Sequence, residues 1–259
     1  MNIKPLFFTF PPESIPHGYV LINANSWRRQ LNYIRSHRDV IEMIIIDSGI
    51  EIFRDRNTRD YPGGYKAQVY RLVRIYNVVR SIVPKAFILA TCPDYPDDYW
   101  PKQCWVSEDV TNVERTLESI RFALERFPKI PWLIPIQGHH RDPLSIKMAI
   151  HDLVDDGLLE NRDYVAVANL CTENTASVIY DTLKIARDLL PSHWIHAFGI
   201  NLRTLNRVKD LIDSFDSTAW TRPVSTKILN ANWSAKNEYE RLFFFLAWYF
   251  RYLEIIGGE

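Results

Sequence analysis

The sequence predicts a single (β/α)8 barrel of the TIM type. Three observations predict it. Short apolar runs alternate with helical patterns along the chain, 259 residues is an ordinary length for such a barrel, and the first run is not followed by a glycine-rich nucleotide loop. An open doubly wound sheet typically carries that loop, whereas here YVLIN is followed by ANSWRRQ.

The strand-like runs lie at 19–23, 43–47, 86–92, 132–138, 164–169, 194–199 and 214–218, with a weaker one at 226–230. Most are too short for a buried helix, and several are rich in Val and Ile, which marks buried strands. Between them, 65–82 carries apolar residues at Val69, Leu72, Val73, Ile75, Tyr76, Val78 and Val79, a helical pattern. The helix predicted over 108–127 opens on Glu108 and Asp109, acids suited to a first turn. Helices are also predicted over 143–154, over 174–190 with Asn174 as N-cap, and over 204–213. The stretch 235–255 is an aromatic helix, apolar nearly all round, and such a helix is buried or packed on a partner. No linker or low-complexity tract divides the sequence, so 1–259 reads as one domain, with 235–259 as its C-terminal aromatic helix.

Bulk composition excludes several classes. At 47% hydrophobic and 13% aromatic residues the chain is not disordered. It lacks any run of about 18 apolar residues, so no membrane span is predicted, and its opening apolar stretch is too short for a secretory signal. Cys92, Cys104 and Cys171 are widely separated and form no CxxC pair. That argues against a disulfide framework or a four-ligand zinc site and predicts a reducing, cytoplasmic setting. Lys+Arg and Asp+Glu both number 31, so any contact with nucleic acid must rest on a local patch. Candidates are Arg54, Arg56 and Arg59 with Arg222, and separately Arg203, Arg207 and Lys209. The plainer reading of each patch is a solvated face.

In a barrel of this type, active sites form where the strands end. The run ends bring Asp47, the Cys92-Pro93-Asp94 turn, Gln137-Gly138, Asn169, Gly199 and Asp216 to one mouth. Carboxylates and an amide around one pocket suit acid–base or nucleophilic work on a polar, planar ligand. Each has a plainer reading. Asp47 can cap the turn at Ser48-Gly49, and Asp94 sits in a turn-rich PDYPDD stretch. Asp216, between Phe215 and Trp220, is harder to explain by packing. His139 and His140 are adjacent on a loop and belong to no H-x-E or HExxH pattern, so no metal is predicted.

Taken in order, these motifs resemble the queuine/archaeosine tRNA-guanine transglycosylase superfamily, including its relatives that put 7-deazaguanines into DNA. Ile46-Asp47-Ser48-Gly49 looks like the family's DSGG motif, and Pro93-Asp94 like its base-recognising Asp segment. Ile136-Gln137-Gly138 looks like VQGG, and Ala168-Asn169-Leu170 stands where the family has GGL. Phe198-Gly199-Ile200 looks like MGVG, Phe215-Asp216-Ser217 like FDS or FDC, and Ile228-Leu229-Asn230 like the last barrel strand. The departures are Ile50 for the second glycine of DSGG, His139 for that of VQGG, and Asn169 in place of a glycine. The family's CxCxxC…H zinc subdomain is also missing, which brings the chain closer to the DNA-modifying branch.

The resemblance implies Asp216 as nucleophile at C1′ and Asp47 as proton shuttle. It implies Asp94 on the N1–H and 2-amino edge of the base, Gln137 on O6, and Asn169 near the 7-substituent. Ser48, Gly138, Leu170 and Gly199 would line the base site. The implied reaction exchanges guanine for a 7-deazaguanine of the preQ0 type, with no cofactor or metal. Tyr95 and Trp220 could wall the mouth, although packing explains either one alone. The rival readings are a tRNA transglycosylase that borrows a zinc-like module from a partner, and an idle barrel that binds a modified base. A third, an unrelated sugar or phosphate barrel, fits poorly with the glycine-free 221–233. The sequence leaves a helicase-type ATPase partner open, and the aromatic helix is a candidate homodimer surface.

Overall fold

The computed structural model describes residues 5–56, 58–97, 110–170, 173, 175–217 and 237–257. Parallel strands β1 (Leu6–Phe7), β2 (Tyr19–Asn23), β3 (Met43–Asp47), β4 (Phe87–Thr91), β5 (Trp132–Ile136), β6 (Tyr164–Val167), β7 (Trp194–Ala197) and β8 (Ser214–Asp216) form one sheet. It is ordered β1-β8-β7-β6-β5-β4-β3-β2. A parallel bridge from Phe8 to Val20 joins the two ends, and the Leu21 N–H donates to the Phe8 carbonyl at 3.0 Å. The sheet is therefore a closed (β/α)8 barrel.

The predicted runs from 19 to 218 are all strands, the first two at full length and the others slightly shorter than their runs. The eighth stave differs from expectation. It is Leu6–Phe7, between β8 and β2, and the predicted run at 226–230 lies outside the described residues. A strand of two residues is too short to show a period, so its role comes from closure alone.

Helices follow the strands: α1 (Trp27–Ser36), α2 (Glu51–Asp55), α3 (Gly64–Ile82), α4 (Asn112–Arg126), α5 (Pro143–Asp155), α6 (Ala176–Leu189), α7 (Leu202–Val208) and α8 (Glu238–Gly257). The first two have no counterpart in the sequence reading. Helix α4 begins later than Glu108-Asp109 because of a capping box. The Glu114 N–H donates to Thr111 Oγ1 at 3.1 Å, and the Thr111 N–H donates to Glu114 Oε2 at 2.6 Å. Thr175, not Asn174, is the N-cap of α6. Helix α7 starts before Thr204, because Asn201 accepts the Thr204 N–H at 3.0 Å. Helix α8 buries Phe244, Phe245 and Tyr252, with Phe245 against Phe8 and Tyr252 against Phe215, and exposes Tyr239, Phe243, Leu246 and Phe250. Among the described residues no helix is long and apolar enough to cross a membrane.

The interior shows why strand ends become the site. Successive side chains alternate across a strand, so every second residue of each stave points inward. The lower interior packs Tyr19, Met43, Tyr164 and Trp194 against a middle layer of Phe7, Leu21, Ile45, Leu89, Leu133 and Ala166. The next inward positions are Asn23, Asp47, Thr91, Gln137, Ala168, Phe198 and Asp216. The lower layers are apolar except for His196 and Ser214 on β7 and β8, and the crown is polar except for Ala168 and Phe198. The opposite faces of the staves pack against the helices in a second, larger core.

Candidate active site

Asp47, Asp94 and Asp216 are all buried at this crown, with relative exposures of 8%, 3% and 7%. A fourth carboxylate, Glu51, joins them from the first turn of α2. The Asn23 amide ties it to Asp47, donating to Glu51 Oε2 at 2.6 Å and to Asp47 Oδ2 at 3.3 Å. Burial pushes the Asp47 carboxyl well above the usual carboxylate range, and the charges of Glu51, Asp94 and Asp216 push it further, against a hydrogen bond from the Gly49 backbone. Burial also raises Glu51, Asp216 adds to the rise, and the Asn23 hydrogen bond works against it. Acids this close resist being ionised together, and Asp47 and Glu51 are the two whose carboxyls the burial raises.

Asp216 is held differently. Its Oδ1 accepts the Gly199 N–H at 2.9 Å and lies 3.4 Å from His196 Nε2. His196 is fully buried between Phe7, Trp194 and Phe198, and its Nδ1 is 2.7 Å from Ser214 Oγ. A carboxylate can only accept, so the tautomer that suits Asp216 carries its proton on Nε2, with the Ser214 hydroxyl donating to Nδ1. The 3.4 Å approach is electrostatic, because Nε2 makes no hydrogen bond. Both interactions fall on Oδ1, which leaves Oδ2 without a partner among the described residues.

Asp94 is fixed by its surroundings. Its Oδ1 accepts the Ser48 hydroxyl at 2.7 Å, and its carbonyl accepts the Tyr61 hydroxyl at 2.9 Å. Gln68, from α3, donates to the Ser48 carbonyl at 2.6 Å. Tyr95 is buried, with the Arg115 guanidinium 3.5 Å from its ring centroid and its hydroxyl donating to Asp60 at 2.7 Å. It anchors the loop after β4 and does not wall the mouth. The loop after β3 turns at Gly49, whose φ of +84° favours glycine and whose carbonyl accepts the Asn25 amide at 2.7 Å.

Gln137 and Asn169 are buried amides whose Oε1 and Oδ1 atoms have no partner. The Gln137 Nε2 donates to the Gly138 carbonyl at 2.9 Å, so its free atom is an acceptor, where the expected interaction with O6 requires a donor. The Gly138 carbonyl needs a proton, and the amide turns to supply it. A Cβ at Gly138 would meet Ser145 Oγ at 2.6 Å, which accounts for glycine where α5 approaches. Asn169 Nδ2 reaches the His139 carbonyl at 3.5 Å. The Leu170 side chain packs in the core between sheet and helices, so only its backbone is left to face the mouth. Orphaned buried acceptors are rare in proteins, and each calls for a donor that the described residues do not supply.

Of the basic candidates, Arg54 pairs with neighbouring Asp55 at 3.2 Å, and Arg56 and Arg59 are exposed. These three follow Glu51 along α2 and the turn after it, at the rim. Lys209 donates to the Ile255 carbonyl at 3.1 Å and so joins α7 to α8. Arg203 is exposed beside Arg251 and Glu254. Arg222 and Trp220 lie outside the described residues. Among the described residues no group of three or more His, Cys, Asp or Glu is arranged to hold a metal ion, and His139 instead meets Asp97 at 3.1 Å.

Sequence reading missed Glu51, Asn23 and His196. Asn23 and His196 were open to the period-two reading, as the last residue of YVLIN and the inward histidine of WIHAF. Glu51 sits beyond a turn and carried no local signal.

No family model matches the chain, and no curated protein matches it. Among solved structures it is similar to a psychrophilic glycoside hydrolase family 10 endo-beta-1,4-xylanase, at 12% identity and a TM-score of 0.46 over 82% of this chain and 85% of that one. A likeness at that level says nothing about the chemistry of the mouth.

Proposed function

We propose that this barrel exchanges a guanine-type base on a nucleic acid, DNA in preference to tRNA, for a 7-deazaguanine through a covalent Asp216–sugar intermediate. The observation that carries the reading is the contrast between two acids in one mouth. Asp216 is held by one oxygen with the other free, while burial and the neighbouring carboxylates raise Asp47 above the usual carboxylate range. A nucleophile and a proton donor on one anomeric carbon are what a double displacement requires.

The nucleotide must be unstacked to enter, which is where a strand-opening ATPase partner would act. Asp216 Oδ2 bonds to C1′ as the C1′–N9 bond breaks, and the departing guanine takes its proton from Asp47. The incoming 7-deazaguanine returns a proton to Asp47, attacks C1′ and expels the Asp216 carboxylate. Two inversions retain configuration. Asp94, with the orphaned acceptors of Gln137 and Asn169, matches the donors on a guanine edge: N1–H, the 2-amino group, and any donor on the 7-substituent. Glu51 and Asn23 reload and orient the Asp47 proton. His196 and the Gly199 N–H orient Asp216.

The test is incorporation of labelled guanine and preQ0-type base into single- and double-stranded DNA and into tRNA, followed by nucleoside mass spectrometry. Exchange into DNA that Asp216→Asn abolishes supports the reading. Exchange into tRNA alone replaces the substrate but keeps the chemistry. The reading fails if no polymer exchanges its base, or if Asp216→Asn is fully active.

A further inference from the structure

Beside the mouth, the loop after β2 and the first turn of α1 face α3 across a hollow of about 380 Å³. Arg28 and Arg29 line it from α1, and Arg71 and Arg74 line it from α3, with Asn25 and Trp27. Among the described residues none of these guanidinium groups lies within ion-pair distance of a carboxylate. Arg28 leans over the Trp27 ring, 5.4 Å from its centroid. Arg71 is half-buried, and burial, then the nearby charges of Arg56 and Arg28, works against its charged form. Clustered like charges with no counter-charge are strained unless an anion completes them. The N-terminus of the ten-residue α1 adds to the field, since Ser26 makes no side-chain cap and the first turn holds no acid.

The hollow is wired to the acid crown. The Asn25 N–H donates to Asn23 Oδ1 at 2.8 Å, and the Asn23 amide holds Asp47 and Glu51. A mouth rimmed by buried carboxylates repels a polyanion, and a chain of zero net charge has no global field to offset that. A strand that lodges one base in the mouth leaves its phosphates outside, next to this hollow.

We infer that the Arg28, Arg29, Arg71 and Arg74 hollow grips the phosphodiester backbone of the strand whose nucleotide enters the mouth. The inference rests on the base-exchange reading for its direction, but its binding is measurable without turnover. DNA and RNA share the chemistry that would be gripped.

The experiment measures binding of a short labelled single-stranded DNA, and of the RNA of the same sequence, across a salt series. Arg28 and Arg74 are exposed, so R28A/R74A leaves the fold alone, which a melting curve checks. The double variant should weaken binding on the order of tenfold and flatten the log affinity–log salt slope by about 0.7 for each phosphate no longer neutralised. R28K/R74K should restore most of the binding, and R38A, just past the far end of α1, should match wild type. Inorganic phosphate and phosphatidylserine vesicles are the competing arms. Wild-type affinity and slope in R28A/R74A overturn the inference, and so does binding of vesicles but not of either strand. Loss of strand binding in a protein that exchanges no base leaves the hollow standing and removes the exchange reading. Exchange with unchanged KM in R28A/R74A does the reverse.

Discussion

The turn that carries Asp47 and Ser48 can be tested through Gly49→Ala. Two terms add there. A non-glycine residue at a φ of +84° costs about 1–2 kcal/mol. The new Cβ would also lie 2.7 Å from Asn25 Nδ2, the atom that donates to the Gly49 carbonyl. Moving Asn25 away forfeits that hydrogen bond, a further loss of about 0.5–1.5 kcal/mol. The expected destabilisation is therefore about 1.5–3.5 kcal/mol. Gly157→Ala is the matched control, because Gly157 has a φ of +68° but its nearest neighbour, Glu160 Cδ, is 3.5 Å from the added Cβ. It should lose only the backbone term, about 1–2 kcal/mol. Urea unfolding at constant slope reads both. If Gly49→Ala is no more destabilised than Gly157→Ala, the Asn25 latch is not holding this turn. Base exchange should also fall in Gly49→Ala and stay level in Gly157→Ala, since only the first turn carries site residues.

Four further outcomes follow from the crown. Asp216→Asn should cut exchange by at least about a thousandfold while melting close to wild type, because its Oδ1 can still accept the Gly199 N–H. For Asp47 the folded carboxyl lies above its unfolded value of 3.8, so its contribution to stability is full below that pH and is lost as pH rises toward the raised value. Melting curves of Asp47→Asn should therefore show an advantage over wild type that grows with pH from acid to neutral, and a flat difference would refute the buried, proton-holding site. His196→Ala should lower kcat on the order of a hundredfold with little change in KM, since it loosens the proposed nucleophile from a fully buried position below the mouth. Ser48→Ala removes a hydrogen bond to the Asp94 carboxylate and should cost about 1.5–3 kcal/mol in urea unfolding, with a rise in KM.

Much of this molecule could be read from its residues, for a physical reason. A buried parallel strand advertises itself as a continuous apolar run, and 43–47 or 132–136 needs no tertiary information to be recognised. The crown followed, because most runs stopped at or beside a polar residue and barrels put those ends together. Closure was not legible. Leu6–Phe7 gains its role only by reaching β8 and β2, and no local spacing records that. The buried Asp47–Glu51 pair was half legible. Asp47 ends a strand, but Glu51 reaches it only after the Gly49 turn bends α2 inward. The arginine hollow was hidden for the same reason, with its members split between 28–29 and 71–74.

The two-residue stave has a consequence for biosynthesis. The oxygen proposed to attack and the acid proposed to shuttle protons lie on either side of the seam that Leu6 and Phe7 fill, and the ribosome delivers that pair some two hundred residues before Asp216. A nascent chain can stack β2 to β7 as it emerges, yet it holds no working centre until residue 216 arrives and the first segment slots in beside it. The proposed centre is thereby missing from any chain that stops short of Asp216 and from any fold in which Leu6 and Phe7 have not reached β8.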